Sequence, residues 1–532
     1  MDGSAAAKSR GREVLLTGAT GFVGKVVLEA LLRRREELDI ARVYLLIRPS
    51  TRKDRAPRER FRLEVETSPC FRELPAGWSD FVEIVEGDIS RHSCGLTPES
   101  RAQLTGVITH VLHVAASIEF DLPIAEALSI NTHGCMNMLE LAREATNLVQ
   151  MVAVSTAYVT PGRDDGGPVE EVLAPLPRPA QQLHDEILAG TVDEAELLKA
   201  TGHPNTYTLT KCLAEHLIVE RHDRVPLRIV RPSIVSASWH EPFPGWIDSR
   251  AAFAAFVALA GGGYLRAIAG QPDARIDLVP VDVVAQCIIR AAFEDNVPVE
   301  GDGDNPVVIH HAVAGLAHSA TASECRHQVV DFFRRYPLDR WPDAPYLGPL
   351  GFRFALADGR HHSMRLPISA LIVGRGWRAG TRLLGKIRNF NRVFFYFINH
   401  TFDFRAAASV NDPRPDPIEY MEIACHGIYH HLLRRKDSEI PLAGRRGPDR
   451  KGDMRFVHRQ PEGTTLARIT AWFVAKALRR STDMVSFDLS SFERAKAELS
   501  ATHPGATLVL VPSHRSYLDF VLVSFLCFAR HD

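Results

Sequence analysis

The residues predict an α/β protein: a doubly wound parallel sheet, then a mainly helical region, then an incomplete α/β segment at the C-terminus. Three observations carry this expectation. Short apolar, β-branched runs alternate with amphipathic helical stretches over residues 13–315. A glycine-rich turn separates the first run from the first helix. Beyond residue 316 the pattern turns helical and aromatic, with no further alternation until about Thr464. Strands alternating with helices at such spacing pair in parallel, because each crossover needs a helix to return the chain to the same edge.

The elements follow in order. Glu13–Thr17 reads as a buried strand and Gly24–Arg35 as the amphipathic helix after it. Arg42–Ile47, Phe81–Glu86, Val107–Val114, Val149–Ser155 and Leu227–Val230 continue the strand series, with Thr132–Arg143 among the intervening helices. Residues 161–204 interrupt the rhythm with proline, glycine and an acidic helix, which suggests an excursion over the sheet edge or a substrate lid. Residues 1–12 read as a flexible N-terminus, 13–315 as the dinucleotide-binding domain and 316–433 as its helical continuation. Residues 434–463 form a basic, Pro/Gly-rich linker, and 464–532 begin a new α/β pattern.

Composition narrows the function classes. A chain of 532 residues exceeds one ordinary core, and 45% hydrophobic with 24% charged residues is globular rather than disordered. A formal net charge of −1 gives no bias toward nucleic acid. The 8 cysteines are scattered without CxxC spacing, so free thiols are expected rather than a disulfide framework or a zinc site. No apolar run approaches the roughly 18 residues that span a bilayer. The first such run starts at Val14 with no room for a secretory leader, and a cytoplasmic location is expected.

Thr17-Gly18-Ala19-Thr20-Gly21-Phe22-Val23-Gly24 follows a strand and opens a helix, the context that gives a glycine triplet meaning. Gly18 and Gly21 let the backbone approach a pyrophosphate, Gly24 lets helix and strand pack closely, and the helix N-terminus offers free N–H groups. The sheet is therefore of Rossmann type. At the end of the second strand a carboxylate would suit an unmodified ribose. Here Arg48 follows Ile47, with Arg52 and Lys53 nearby. Cations suit a 2′-phosphate, which favours NADPH, although an arginine at a strand end also serves as a solvated charge. Asp88-Ile89 is placed to hold the adenine, and Ala115-Ala116 is small enough to let a dinucleotide cross the sheet edge.

Tyr207 and Lys211 lie four residues apart, on one face of a helix. A lysine beside a tyrosine lowers the phenol and reaches the nicotinamide ribose. The fifth strand ends in Ser155-Thr156, where a hydroxyl would face the same substrate carbonyl.

In order, Thr17 to Gly24, His113-Val114-Ala115-Ala116, Val154 to Val159, Tyr207 to Lys211 and Arg228 to Val235 resemble the extended short-chain dehydrogenase/reductase superfamily. Within it, Ser155-Thr156-Ala157-Tyr158-Val159, Arg231-Pro232-Ser233-Ile234-Val235 with Ser238-Trp239, and Pro244-Gly245-Trp246-Ile247-Asp248 resemble the fatty acyl-CoA reductases. The resemblance spans residues 12–310. It implies NADPH as cofactor, a fatty acyl-CoA as substrate, and an aldehyde or primary alcohol as product. It implies Tyr207 as proton donor, Lys211 as its activator and ribose contact, and Thr156 as the hydroxyl partner, with Ser155 the alternative. Pro232 would line the cofactor. Phe243, Trp246 and the helix Ala251–Leu259 are candidates for an acyl-chain wall or for ordinary core. Asp282, in Pro280-Val281-Asp282-Val283, reads as a helix cap rather than a catalyst.

His514-Arg515-Ser516-Tyr517-Leu518-Asp519 resembles the first catalytic block of glycerol-phosphate and dihydroxyacetone-phosphate acyltransferases. The later blocks of that family are missing, so an inactive, truncated start of such an enzyme is expected. His426 and His430 share a helix face, but no third ligand lies near them in sequence and a structural role is expected rather than a metal site. The basic stretch 434–459 suits a solvated linker better than peripheral contact with anionic lipid, the second reading it permits.

Overall fold

Alternate residues of strand β1 (Arg12–Thr17) enter different cores, which is why helices cover both faces of the sheet. Val14 and Leu16 pack with Leu112, Val152 and Val230 beneath helix α1 (Phe22–Arg33). Leu15 packs on the opposite face with Val111, Met151 and Ile229, beneath helix α2 (Gly134–Glu144). The computed structural model describes residues 11–50, 54–161, 167–263, 265, 268–294, 307–338, 346–347, 392, 394–406, 414–435 and 498.

Seven parallel strands make the main sheet. They are β1, β2 (Ile40–Ile47), β3 (Val82–Glu86), β4 (His110–His113), β5 (Gln150–Val154), β6 (Leu227–Pro232) and β7 (Val308–Ala312). Their order is β7-β6-β5-β4-β1-β2-β3, so the winding reverses between β1 and β4. A crevice opens outside the carboxyl ends of the strands at such a reversal, and dinucleotides bind there. The Rossmann-type fold expected from the residues is therefore the fold observed. Strand β7 was not among the expected elements. His310 and His311 interrupt its apolar run, yet both are buried, and the ring Nδ1 of His311 lies 2.6 Å from the Arg405 carbonyl.

Part of the excursion at 161–204 runs along the sheet edge, where the Glu171 carboxylate accepts from the amide of His311 on edge strand β7 at 2.6 Å. Helix α3 (Ala180–Leu188) sets Leu183 and Ile187 against Leu209, Leu213 and Leu217 of helix α4 (Thr206–Arg221). Its apolar stripe thus backs the helix that carries Tyr207. A second core joins helix α5 (Ala252–Gly261) to α7 (Ala322–Arg335) and α8 (Pro417–Gly427), with Phe256, Val257, Phe332, Phe333 and Tyr420 interleaved. Residues on both sides of position 316 share that core. The segment 464–532 lies outside the described residues except for Glu498, and with it His514 and Asp519. No helix among the described residues is long and apolar enough to cross a membrane, and the described cysteines form no disulfide.

Glu29 on α1 is buried against helix α6 (Val281–Phe293) and pairs with Arg33 at 3.0 Å. Burial outweighs that partner and raises its carboxyl to about 7. The folded chain therefore keeps a proton that the unfolded chain releases above about 4.5, so stability falls as pH rises from about 4.5 to 7 and levels off above. Two and a half pH units correspond to about 3 kcal/mol. Glu29→Gln is expected to flatten this dependence, as read from urea midpoints at pH 5 and pH 8.

Candidate active site

The turn after β1 is shaped for close approach. Gly18 has φ +82°, and a Cβ there would meet the Ala115 amide nitrogen at 2.8 Å. A Cβ on Gly24 would fall 2.1 Å from the Gly18 carbonyl oxygen, so only glycine lets α1 start this near the turn. Gly21 is the N-cap of α1, its amide donates to the Gly18 carbonyl at 2.8 Å, and no side chain caps the helix. The first-turn amides of Phe22, Val23 and Gly24 thus lack a side-chain acceptor, and an anion such as a pyrophosphate fits that need. Thr17 is fully buried, and its hydroxyl accepts from the Val114 and Ala115 amides at 3.2 and 3.1 Å. It also lies 3.0 Å from the His113 ring, clamping together the two strand ends that flank the crevice.

The rest of the cradle surrounds this turn. Asp88 follows β3 and its carboxylate accepts from the Ser90 amide at 3.0 Å and hydroxyl at 2.8 Å, while the Ile89 carbonyl accepts from Asn137 at 2.8 Å. Ala115 and Ala116 leave room at the end of β4. Arg48 is exposed at the end of β2, and Arg52 and Lys53 lie outside the described residues. Arg60 is a residue the sequence reading missed. Its guanidinium donates to the Arg48 carbonyl at 2.8 Å and to the Thr20 hydroxyl at 3.4 Å, while pairing with Glu64 at 2.7 Å. It thereby joins the end of β2 to the glycine turn, twelve positions beyond Arg48, where no local pattern marks it.

Helix α4 presents Tyr207, Lys211 and Glu215 on one face at successive i, i+4 positions. Asn205 caps it, its side chain accepting from the Thr208 amide at 2.9 Å, which sets where Tyr207 begins the helix. Burial raises the Tyr207 phenol to about 12, against the pull of its hydrogen bond with Thr156. Lys211 does not produce the expected lowering. Its ammonium donates to the Val154 carbonyl at 2.7 Å, and burial pushes its own pKa down. A phenol held this high stays protonated, as a proton donor must. Thr156 is N-cap of the short turn Ala157–Val159, its hydroxyl accepting from the Tyr158 amide at 3.3 Å and lying 3.4 Å from the Pro232 carbonyl. The hydroxyl of Ser155 is buried without a hydrogen-bond partner, and it is the Thr156 side chain that acts to lower the Tyr207 phenol.

Two further features escaped the sequence reading. Asn131 is buried, accepts from the Ser117 amide at 2.9 Å and donates to the Thr210 hydroxyl at 3.2 Å. It therefore fixes the loop after β4 against the helix that carries Tyr207. One turn beyond Lys211, Glu215 holds Arg231 of β6 in a bidentate ion pair at 2.9 and 2.5 Å, with both side chains buried. These partners are 16 positions apart and meet only when α4 lies on the sheet.

The expectation for Asp282 is corrected. Asp282 does not cap its helix, whose N-cap is Pro280. Its carboxylate accepts from the amides of Trp239, His240 and Glu241 at 2.8, 2.8 and 3.1 Å, pinning the loop after Ser238. Phe243 and Trp246 are buried, with the Arg72 guanidinium stacked 3.5 Å from the Phe243 ring centre. Phe253, Phe256 and Val257 face the second core. These side chains are core. Asp248, at the end of that segment, pairs with Lys25 of α1 at 2.5 Å. His426 is buried against Phe332, with its ring pKa lowered by burial to about 3, and His430 stacks 6.5 Å from it.

Similarity to known proteins agrees with this geometry. The family model described as "Male sterility protein", an NAD-binding family, matches residues 16–288. Among curated proteins, fatty acyl-CoA reductase 1 of Gallus gallus is 34% identical over 338 residues, covering 62% of this chain and 63% of that protein. Fatty acyl-CoA reductase 1 of Homo sapiens is 33% identical over 336 residues, again covering 62% and 63%. The chain thus spans 63% of the length of these relatives. Human fatty acyl-CoA reductase 2 is 25% identical over 460 residues, 82% of this chain and 87% of its own. Among solved structures, the terminal R domain from the myxalamid PKS-NRPS pathway superposes with a TM-score of 0.57 at 20% identity, covering 81% of this chain and 94% of its own. That likeness is one of fold. With more than half of its residues matched by the family model, the chain belongs to the male sterility protein family of nicotinamide-dinucleotide-binding domains.

Proposed function

We propose that the chain is an NADPH-dependent reductase of fatty acyl thioesters, converting long-chain acyl-CoA to fatty aldehyde or primary alcohol with release of CoA. The observation that carries this reading is that the helix face bearing Tyr207 and Lys211 meets the end of β5, where Lys211 donates to the Val154 carbonyl at 2.7 Å two residues before Thr156. The names of the similar reductases support the substrate class. Gly18, Gly21 and the N-terminus of α1 would hold the pyrophosphate, Asp88 and Ile89 the adenine, and Arg48 with Arg60 the 2′-phosphate. When bound, the nicotinamide supplies the hydride that reduces the acyl carbonyl carbon. Tyr207 donates its phenolic proton to the carbonyl oxygen, and the Thr156 hydroxyl orients the same oxygen. As the C–S bond breaks, the hemithioacetal hydroxyl would return its proton to the Tyr207 phenolate and the thiolate would take one from solvent; reduction of the aldehyde by a second NADPH, with Tyr207 again giving the proton, would yield the alcohol. Lys211, fixed on the Val154 carbonyl, would bind the ribose and present a positive charge behind the phenol.

NADPH oxidation with acyl-CoAs of graded length, products separated, tests the reading; activity restricted to sugar nucleotides would overturn it. Arg48→Ala is expected to raise the KM for NADPH about tenfold, the worth of one charge-assisted hydrogen bond. The same change narrows the preference for NADPH over NADH, and an unaltered preference would remove Arg48 from the phosphate site.

A further inference from the structure

Residues 231, 232 and 233, where β6 ends, are each tied to a different element. Arg231 is paired with Glu215 on the helix that carries Tyr207. The Pro232 carbonyl lies 3.4 Å from the Thr156 hydroxyl. Ser233 donates from its hydroxyl to the carboxylate of Asp277 at 2.5 Å. Asp277 is buried, and the same carboxylate accepts from the amides of Ala314 and Gly315, each at 2.8 Å, just beyond the end of β7. Pro232 and Ala312 are the last paired residues of these two strands. The Ser233 amide donates to the Ala312 carbonyl at 3.2 Å, and it shares one rigid peptide plane with the Pro232 carbonyl. Asp277 thus grips both chains that bracket this plane, Ser233 on one side and Ala314-Gly315 on the other. Where a parallel ladder stops, its backbone groups need other partners. A buried carboxylate, raised in pKa by desolvation, is a costly way to supply them, and one that fixes several donors at once.

We infer that Asp277 is a positioning residue for the reaction: by fixing Ser233 and the Ala314-Gly315 turn it orients the peptide of Pro232, and with it the Thr156 hydroxyl. The effect on catalysis rests on the reductase reading, in which that hydroxyl orients the substrate carbonyl oxygen. The contacts run in sequence from Asp277 to Ser233, Pro232 and Thr156. Ser233→Ala cuts this chain at its second link and leaves the carboxylate its two amide donors. Once Thr156 has lost its hydroxyl nothing remains to be oriented, so the two losses do not add.

The test measures kcat and KM for palmitoyl-CoA, and NADPH affinity by nucleotide fluorescence, on the full chain as wild type, Ser233→Ala, Thr156→Val and the double variant. Ser233→Ala is expected to lower kcat about tenfold, a part of what an ångström of misplacement costs. KM and NADPH affinity are expected to stay within about twofold. In the Thr156→Val background the same change is expected to lower kcat by less than about twofold. An unaltered kcat in Ser233→Ala, a loss carried by KM instead, or the tenfold loss repeated without the Thr156 hydroxyl would overturn the inference. Asp277→Asn turns an amide nitrogen toward one of its donors and is expected to lose at least as much as Ser233→Ala, and a folded Asp277→Asn chain with wild-type kcat would also overturn it. Should that variant not fold, the Ser233 cycle decides. A wild-type chain that does not reduce palmitoyl-CoA marks failure of the reductase reading instead. The positioning is then judged on urea midpoints of the same four chains, where non-additive losses are expected and additive ones would overturn it.

Discussion

Tyr207→Phe is expected to lower kcat for acyl-CoA-dependent NADPH oxidation by about 10³-fold or more, the upper part of the range for removing a positioned proton donor. The substitution deletes one oxygen and keeps the ring, so the contact with Phe120 at 5.5 Å survives and the helix is undisturbed. NADPH affinity, read by quenching or by fluorescence of the bound nucleotide, is expected to stay within about twofold, because the glycine turn and Lys211 are untouched. Desolvation of the half-buried side chain pushes the phenol up to about 12. Activity is therefore not expected to fall on the alkaline side up to about pH 9 through loss of this proton. Retained turnover in the variant would remove Tyr207 from the chemistry.

A second large effect is expected from the pair that backs the helix carrying Tyr207. Glu215 and Arg231 are both buried, and each compensates the other's charge. Glu215→Gln or Arg231→Leu alone leaves a charge stranded in the core, at a cost of about 3–5 kcal/mol in stability. Replacing both together, Glu215→Leu with Arg231→Met, removes the stranded charge and is expected to recover most of the loss. Urea unfolding of the two single variants and the double variant checks this. Additive losses in the double variant would mean that the pair is not coupled. Because Lys211 lies one turn before Glu215 on the same face, and Glu215 raises the pKa of Lys211, the single variants also test whether this anchor holds the lysine in place.

The parts of the fold legible in the residues are those in which neighbouring positions share one environment. Strands β1 to β6 announce themselves because Val14–Leu16, Val43–Ile47 and Ile229–Val230 are apolar on both faces of a covered sheet. Strand β7 is less legible, although histidines alone do not hide it, since β4 carries two among its four residues as well. The glycine turn is legible because backbone geometry allows little substitution at Gly18 and Gly24. Asn131, Arg60 and the Glu215–Arg231 pair are not, because their meaning lies in contacts to Ser117, Thr20 and across α4 to β6. The corrected role of Asp282 has the same origin. Asp282 in a first helical turn suggests a cap, but its carboxylate serves a loop some forty positions earlier. Aromatic residues such as Trp246 suit a lipid wall or a core equally well until burial decides.

Reduction of an acyl thioester by a nicotinamide nucleotide at this site couples two signals, loss of NADPH and release of thiol. The most direct measurement follows NADPH oxidation and free thiol together in one reaction with palmitoyl-CoA as the limiting reagent. Each thioester consumed is expected to release one thiol, with one NADPH oxidised for an aldehyde product or two for an alcohol, and Tyr207→Phe is expected to stop both signals together. Thiol release without NADPH oxidation, or NADPH oxidation that leaves the thioester intact, would contradict this coupling.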